Sequence, residues 1–244
     1  MTPFSDIPIN AYCWFLGAIT LFVLGVKSLV GYRKTHVQLT KYMAWFSATF
    51  FVSLIFFSVP ALFTLDPDKL RTTYVAGEFF FYIGMVTQAA IMWCLVLRRY
   101  FSIYYATVPV TLLALAAWLY DASHSRLSLA HNFITYLDPR PVPWVITLMM
   151  LGLFVPVGIY FIRAASGQTG IKATAISFVL GMMYVGIGFS TGSQEVINGQ
   201  IISPASAIVN LIISAMLLTS LVMPWQLGVK LPGQAESPAS VNAS

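Results

Sequence analysis

Seven apolar runs dominate this chain, at 11–32, 42–65, 75–97, 103–120, 142–162, 173–192 and 204–224, and none alternates polar with apolar positions. A helix crosses the bilayer core with about 20 mostly apolar residues, whereas a barrel strand shows alternation over roughly 10. The runs therefore predict membrane-spanning helices. Charged residues make up only 9% of the sequence and the mean hydropathy is +0.80, too much apolar surface for a soluble domain of 244 residues. The expected fold class is all-α: a polytopic seven-helix transmembrane bundle forming one domain over 1–225. A polar, small-residue, Pro-containing tail at 226–244 is expected to be disordered. The first run has no Lys or Arg before it and is too long for a signal-peptide core, so it reads as the first span.

Loop charges predict an orientation. Lys27, Arg33, Lys34, Lys41, Arg98, Arg99, Arg163, Lys172 and Lys230 fall on one side of such a bundle, and Lys69, Arg71, Arg126 and Arg140 on the other. By the positive-inside rule the first side is cytoplasmic, which puts the N-terminus outside and the C-terminus in the cytoplasm. Asp6, Asp66, Asp68, Glu78, Asp121, Asp138 and Glu195 share the outer side, and Glu236 alone falls inside. Four basic and seven acidic residues give −3 outside; nine and one give +8 inside. The sequence pI near 9.2 thus reports membrane topology facing anionic lipid, and no nucleic-acid partner is expected.

Several chemistries lose support. Cys13 and Cys94 sit near opposite ends of their spans, too far apart for a disulfide. His36, His124 and His131 all lie in loops, so no haem is expected within the spans, and a metal site using His124, His131, Asp121 or Asp138 matches no standard ligand spacing. The seventh run lacks the lysine that a retinal Schiff base requires. No glycine-rich phosphate loop and no grouping of nucleophile, base and orienting acid is evident, so neither a cofactor nor an enzymatic activity is expected.

Polar groups within the apolar runs mark the remaining candidates. On the third span Glu78, Phe81, Met85, Gln88 and Met92 fall within an arc of about 80°, with Tyr82 beside it. Gln88 lies about 15 Å deeper than Glu78, near the midplane, where an amide needs a partner from another helix. Glu78 reads as an interfacial charge at the bundle mouth. On the sixth span Ala173, Ser177 and Gly181 recur every four residues, as do Gly188 and Gly192, a spacing that lets backbones approach. Glu195 ends a polar mouth on that span, and Asn210 is a second deep amide on the seventh. Glu78, Tyr82, Gln88, Glu195 and Asn210 are thus the candidate ligand-binding residues, lining an outward-opening cavity. The loop at 121–141 contains SRLSLAHNFITYL, whose apolar members suggest a segment that lies on the membrane or caps the bundle.

The stretch from Lys41 to Tyr100 has a Trp early in its first span, a short acidic loop, a Tyr82-Ile83-Gly84 step and an aromatic at its end. It resembles the second and third spans of bacterial seven-helix sensor modules that precede histidine kinases or diguanylate cyclases. The resemblance covers about a quarter of the chain plus the general topology. It implies detection of an extracellular or membrane-dissolved signal in a bacterial cytoplasmic membrane, with no catalytic residues to carry over. No output domain follows Lys230 in this sequence, so the resemblance implies signalling through a separate partner. A small or lipidic ligand and membrane lipid complete the expected partners. Two other classes compete: a small transporter or channel subunit, requiring a polar path past Gln88, and a structural subunit of a membrane complex, presenting an uncovered small-residue stripe.

Overall fold

The computed structural model describes residues 8–130, 133–137, 141–167 and 171–196. Helices follow one another as α1 (Ile9–Thr35), α2 (Gln38–Phe63), α3 (Pro67–Met92), α4 (Ile103–His124), α5 (Val142–Ser166) and α6 (Ile171–Val196). Between α4 and α5 stands a small antiparallel hairpin of β1 (Arg126–Ala130) and β2 (Phe133–Leu137), with Ser128 opposite Thr135. α1 to α5 are long and apolar enough to cross a membrane, so the chain is a membrane-embedded helical protein. The expected seventh span at 204–224 and the tail at 226–244 lie outside the described residues.

Three of the helix starts and ends follow from local chemistry. Asp66 caps α3, its carboxylate accepting from the Asp68 N–H at 3.1 Å, and Pro67 occupies the first turn, where a missing N–H costs nothing. The expected start at residue 75 is therefore corrected by about two turns. α3 then runs on through a π-turn (Trp93–Leu97), and the Trp93 indole closes the following bend by donating to the Phe101 carbonyl at 2.7 Å. α1 ends at His36, in the left-handed region at φ 53°, whose N–H donates to the Tyr32 carbonyl at 2.7 Å.

α3 is the centre of the bundle. It packs against α2, α4 and α5, and the main core joins Phe46 of α2, Tyr82, Met85, Ala89 and Ile91 of α3, Ala114 and Ala117 of α4, and a long stripe of α5 from Val142 to Phe161. Phe50 of α2 seats its ring over Gly84 of α3 where a β-carbon would collide with it, and Phe57 does the same over Gly77. α6 packs on α5. A β-carbon on Gly158 of α5 would lie 2.7 Å from the Gly181 carbonyl, and one on Gly181 would lie 2.8 Å from the Gly158 carbonyl, so only glycine permits this crossing. Gly188 meets the Met150 carbonyl of α5 in the same fashion at 3.2 Å. The small-residue face of α6 is thus covered by α5 at these positions.

Candidate functional site

Below the hairpin, α3 carries a column of polar groups away from solvent: Glu78, Tyr82 and Gln88 are 2%, 3% and 0% exposed. Their common face follows from helical spacing. Its enclosure follows from the neighbours, with α5 packed on one side and α4 on the next. Glu78 was expected as a charge at the water's edge. It is buried instead, two turns below Leu70, and its Oε1 accepts from the Tyr74 hydroxyl at 3.1 Å. Tyr74 is itself held by its ring stacked on Phe57 at 5.2 Å.

Gln88 finds the inter-helix partner its depth demands. Its Nε2 donates to the Leu153 carbonyl of α5 at 3.2 Å. The partner helix is α5, which the sequence reading left unspecified. A carbonyl oxygen has two lone pairs, so the Leu153 carbonyl can take this bond as well as one from its own helix. Gln88 Oε1 accepts no hydrogen bond among the described residues. An amide acceptor without a donor at this depth is costly, which sets Gln88 apart from an ordinary packing residue.

Of the five sequence candidates, Glu78, Tyr82 and Gln88 are buried along α3, with Gln88 about 15 Å from Glu78 along the helix. Glu195 lies in the last turn of α6, with its side chain outside the described set, and Asn210 is outside the described residues altogether. Sequence reasoning missed Arg71 and Trp118 and weighed Asp121 only as a metal ligand. Arg71 donates from Nη2 to the Ala122 carbonyl at 3.2 Å, Trp118 donates from its indole to the Val75 carbonyl at 3.0 Å, and Asp121, one residue before Ala122, is fully buried. These groups tie the hairpin ends of α3 and α4 together. The signal that would have found Arg71 is the Asp66-Pro67 helix start, which puts Arg71, Tyr74 and Glu78 on one stripe.

The hairpin closes this end of the bundle. Ile134 packs with Ala11, Leu70 and Ala61 in a second apolar cluster, flanked by Trp14, Leu62 and Leu127. Asn10 of α1 pairs with the backbone of Ile134 on both sides, its Nδ2 donating to the carbonyl at 2.6 Å and its Oδ1 accepting from the N–H at 3.2 Å. A side-chain amide thereby takes the place of a third strand. Of the two alternatives open for this loop, capping the bundle is the one realised, and by strands.

Past Gln88, toward the π-turn, α3 presents Ala89, Ile91 and Met92 to the core, all apolar. Cys13 and Cys94 are free thiols. No family model matches this chain, and no curated protein sequence matches it either.

Proposed function

We propose that this is a non-enzymatic, receptor- or sensor-like protein of a bacterial cytoplasmic membrane, which takes a small or lipidic ligand from the outer side and signals through a separate partner. The observation that carries the reading is the burial of three polar side chains, Glu78, Tyr82 and Gln88, along α3. Polar groups at membrane depth are expensive and mark functional sites more often than packing. The charge ledger supports a hairpin end that faces outward, with the N-terminus outside and seven spans in all.

Two observations weigh against the competing classes. A transporter needs a polar path beyond Gln88, where α3 itself contributes only Ala89, Ile91 and Met92 to the core among the described residues. A structural subunit offers an uncovered small-residue stripe, whereas Gly181 and Gly188 are already packed on α5. The test is thermal unfolding in detergent across a panel of small amphiphiles. A ligand of this site raises the melting temperature of the native protein, and Gln88→Leu removes that rise while leaving the unliganded melting temperature nearly unchanged. An equal ligand-induced rise in both proteins sinks the reading for Gln88.

A further inference from the structure

The half of the bundle away from the hairpin carries Arg33, Lys34, Lys41, Arg98, Arg99 and Arg163. Every described carboxylate belongs to the hairpin half: Asp66, Asp68 and Glu78 to the first half of α3, Asp121 to the last turn of α4 and Glu195 to the last turn of α6. Among the described residues, the basic end therefore has no counterion of its own.

Arg98 and Arg99 stand apart within this group. They are adjacent and exposed in the α3–α4 turn, and neither guanidinium makes a hydrogen bond or an ion pair among the described residues. The backbone beneath them is fixed, because the Arg98 N–H donates to the Trp93 carbonyl at 2.8 Å and the Trp93 indole holds the Phe101 carbonyl. Around them Tyr100, Tyr104 and Tyr105 are 71–75% exposed. A tyrosine on the outside of a membrane bundle settles where its ring meets hydrocarbon and its hydroxyl meets water, which is headgroup level. The α1–α2 turn has Arg33 and Lys34 but no comparable fringe, for Tyr32 is half-buried against His36.

We propose that the α3–α4 turn is a site for an acidic phospholipid, whose headgroup phosphate is held by Arg98 and Arg99 and whose chain runs along the exposed stripe of Tyr104, Val108 and Leu112 on α4. Phosphate is the anion found at headgroup depth, and a planar guanidinium matches two of its oxygens at once. The missing counterion selects an acidic lipid over a zwitterionic one, since a choline ammonium brings further positive charge to an end that holds no negative charge. An acidic protein segment would meet the same arginines, but it lies in water, beyond the level at which these rings settle. This site is independent of the outward-facing one on α3 and of which leaflet the turn meets.

The experiment titrates the full chain in detergent micelles with dioleoylphosphatidylglycerol or dioleoylphosphatidylcholine, and native mass spectrometry counts the bound lipid. The native protein should take its first phosphatidylglycerol roughly tenfold more tightly than phosphatidylcholine, within what two basic groups supply at an anionic surface. Arg98→Gln with Arg99→Gln should remove that preference. Arg33→Gln with Lys34→Gln takes the same charge from the other turn and should retain it. Arg98→Lys with Arg99→Lys keeps the charge, loses the planar fork and should weaken the preference. All four side chains are exposed and bond to no other described residue, so every variant should fold, with the native melting temperature in lipid-free detergent. The proposal is overturned by equal loss in the two glutamine pairs, which is diffuse charge, or by an undiminished preference in the lysine pair. It is also overturned if the native protein shows no preference, leaving its basic end to an acidic protein, or if inorganic phosphate displaces the lipid, which makes the turn a site for a free anion.

Discussion

At the scale of the residue, one amide illustrates how depth dictates chemistry. Gln88 is fully enclosed near the C-terminal end of α3, and its bond to the Leu153 carbonyl crosses to α5. That carbonyl can still accept from its own helix, so Gln88→Leu strands no donor and removes an acceptor that has no partner among the described residues. Its effect on unfolding free energy should stay within about 1 kcal/mol of zero, whereas Gln88→Glu, burying a carboxylate in its place, should cost several kcal/mol; chemical denaturation in mixed micelles checks both. Asn10 is a second case. Asn10→Ala removes both bonds to Ile134, so amide exchange at Ile134 should accelerate while exchange in the middle of α3 is unchanged. Unchanged exchange at Ile134 would show that apolar packing alone holds the hairpin. The need of Gln88 for a partner was legible in the sequence, because any midplane amide has that need. The identity of the partner was not, since a backbone carbonyl leaves no trace in residue type.

Helices and their crossings show where glycine matters and where it does not. Gly181 faces the backbone of α5, and a methyl group there would lie 2.8 Å from both the Gly158 carbonyl oxygen and the Ile162 nitrogen. Neither atom can rotate away. Gly181→Ala should therefore destabilise the protein by roughly 1–3 kcal/mol, the usual range for overpacking, although alanine is the better helix former by about 1 kcal/mol. Gly152→Ala meets open space and should be neutral or stabilising, so the pair measured side by side separates contact from propensity. Four-residue spacing identified Gly181 as a place of close approach. Only the tertiary structure revealed that Gly152, equally a glycine in an apolar run, approaches nothing. The start of α3 was misread for a related reason: apolar content marks the part of a helix in lipid, while Asp66 and Pro67 mark the part that projects beyond it.

The whole molecule is organised around α3, with the hairpin over one end and the basic turns at the other. Arg33 and Lys34 flank the α1–α2 turn, and Arg98 and Arg99 flank the α3–α4 turn, all exposed at the end away from the hairpin. If the positive-inside rule sets the orientation, a membrane-impermeant maleimide applied to intact cells should label Ser123→Cys beside the hairpin and spare Thr35→Cys, in a chain whose Cys13 and Cys94 have been replaced by Ala. The reverse pattern would invert the bundle and remove the outward-facing site from the proposed function.

What the sequence determined by itself was the apolar course of α1 to α5, because a backbone without water must close its hydrogen bonds inside each helix, and length and hydropathy report that requirement residue by residue. The hairpin escaped because its register depends on partners far away in the chain: Ile134 is placed by Asn10, Ala11, Ala61 and Leu70 rather than by its neighbours. The enclosure of Glu78 and the pairing of Gln88 with α5 were likewise decided only in the tertiary structure. Each depends on which helix lies alongside which, and that choice is made by the packing of whole faces, with Gly158 against Gly181 and Phe50 over Gly84, which no single span encodes.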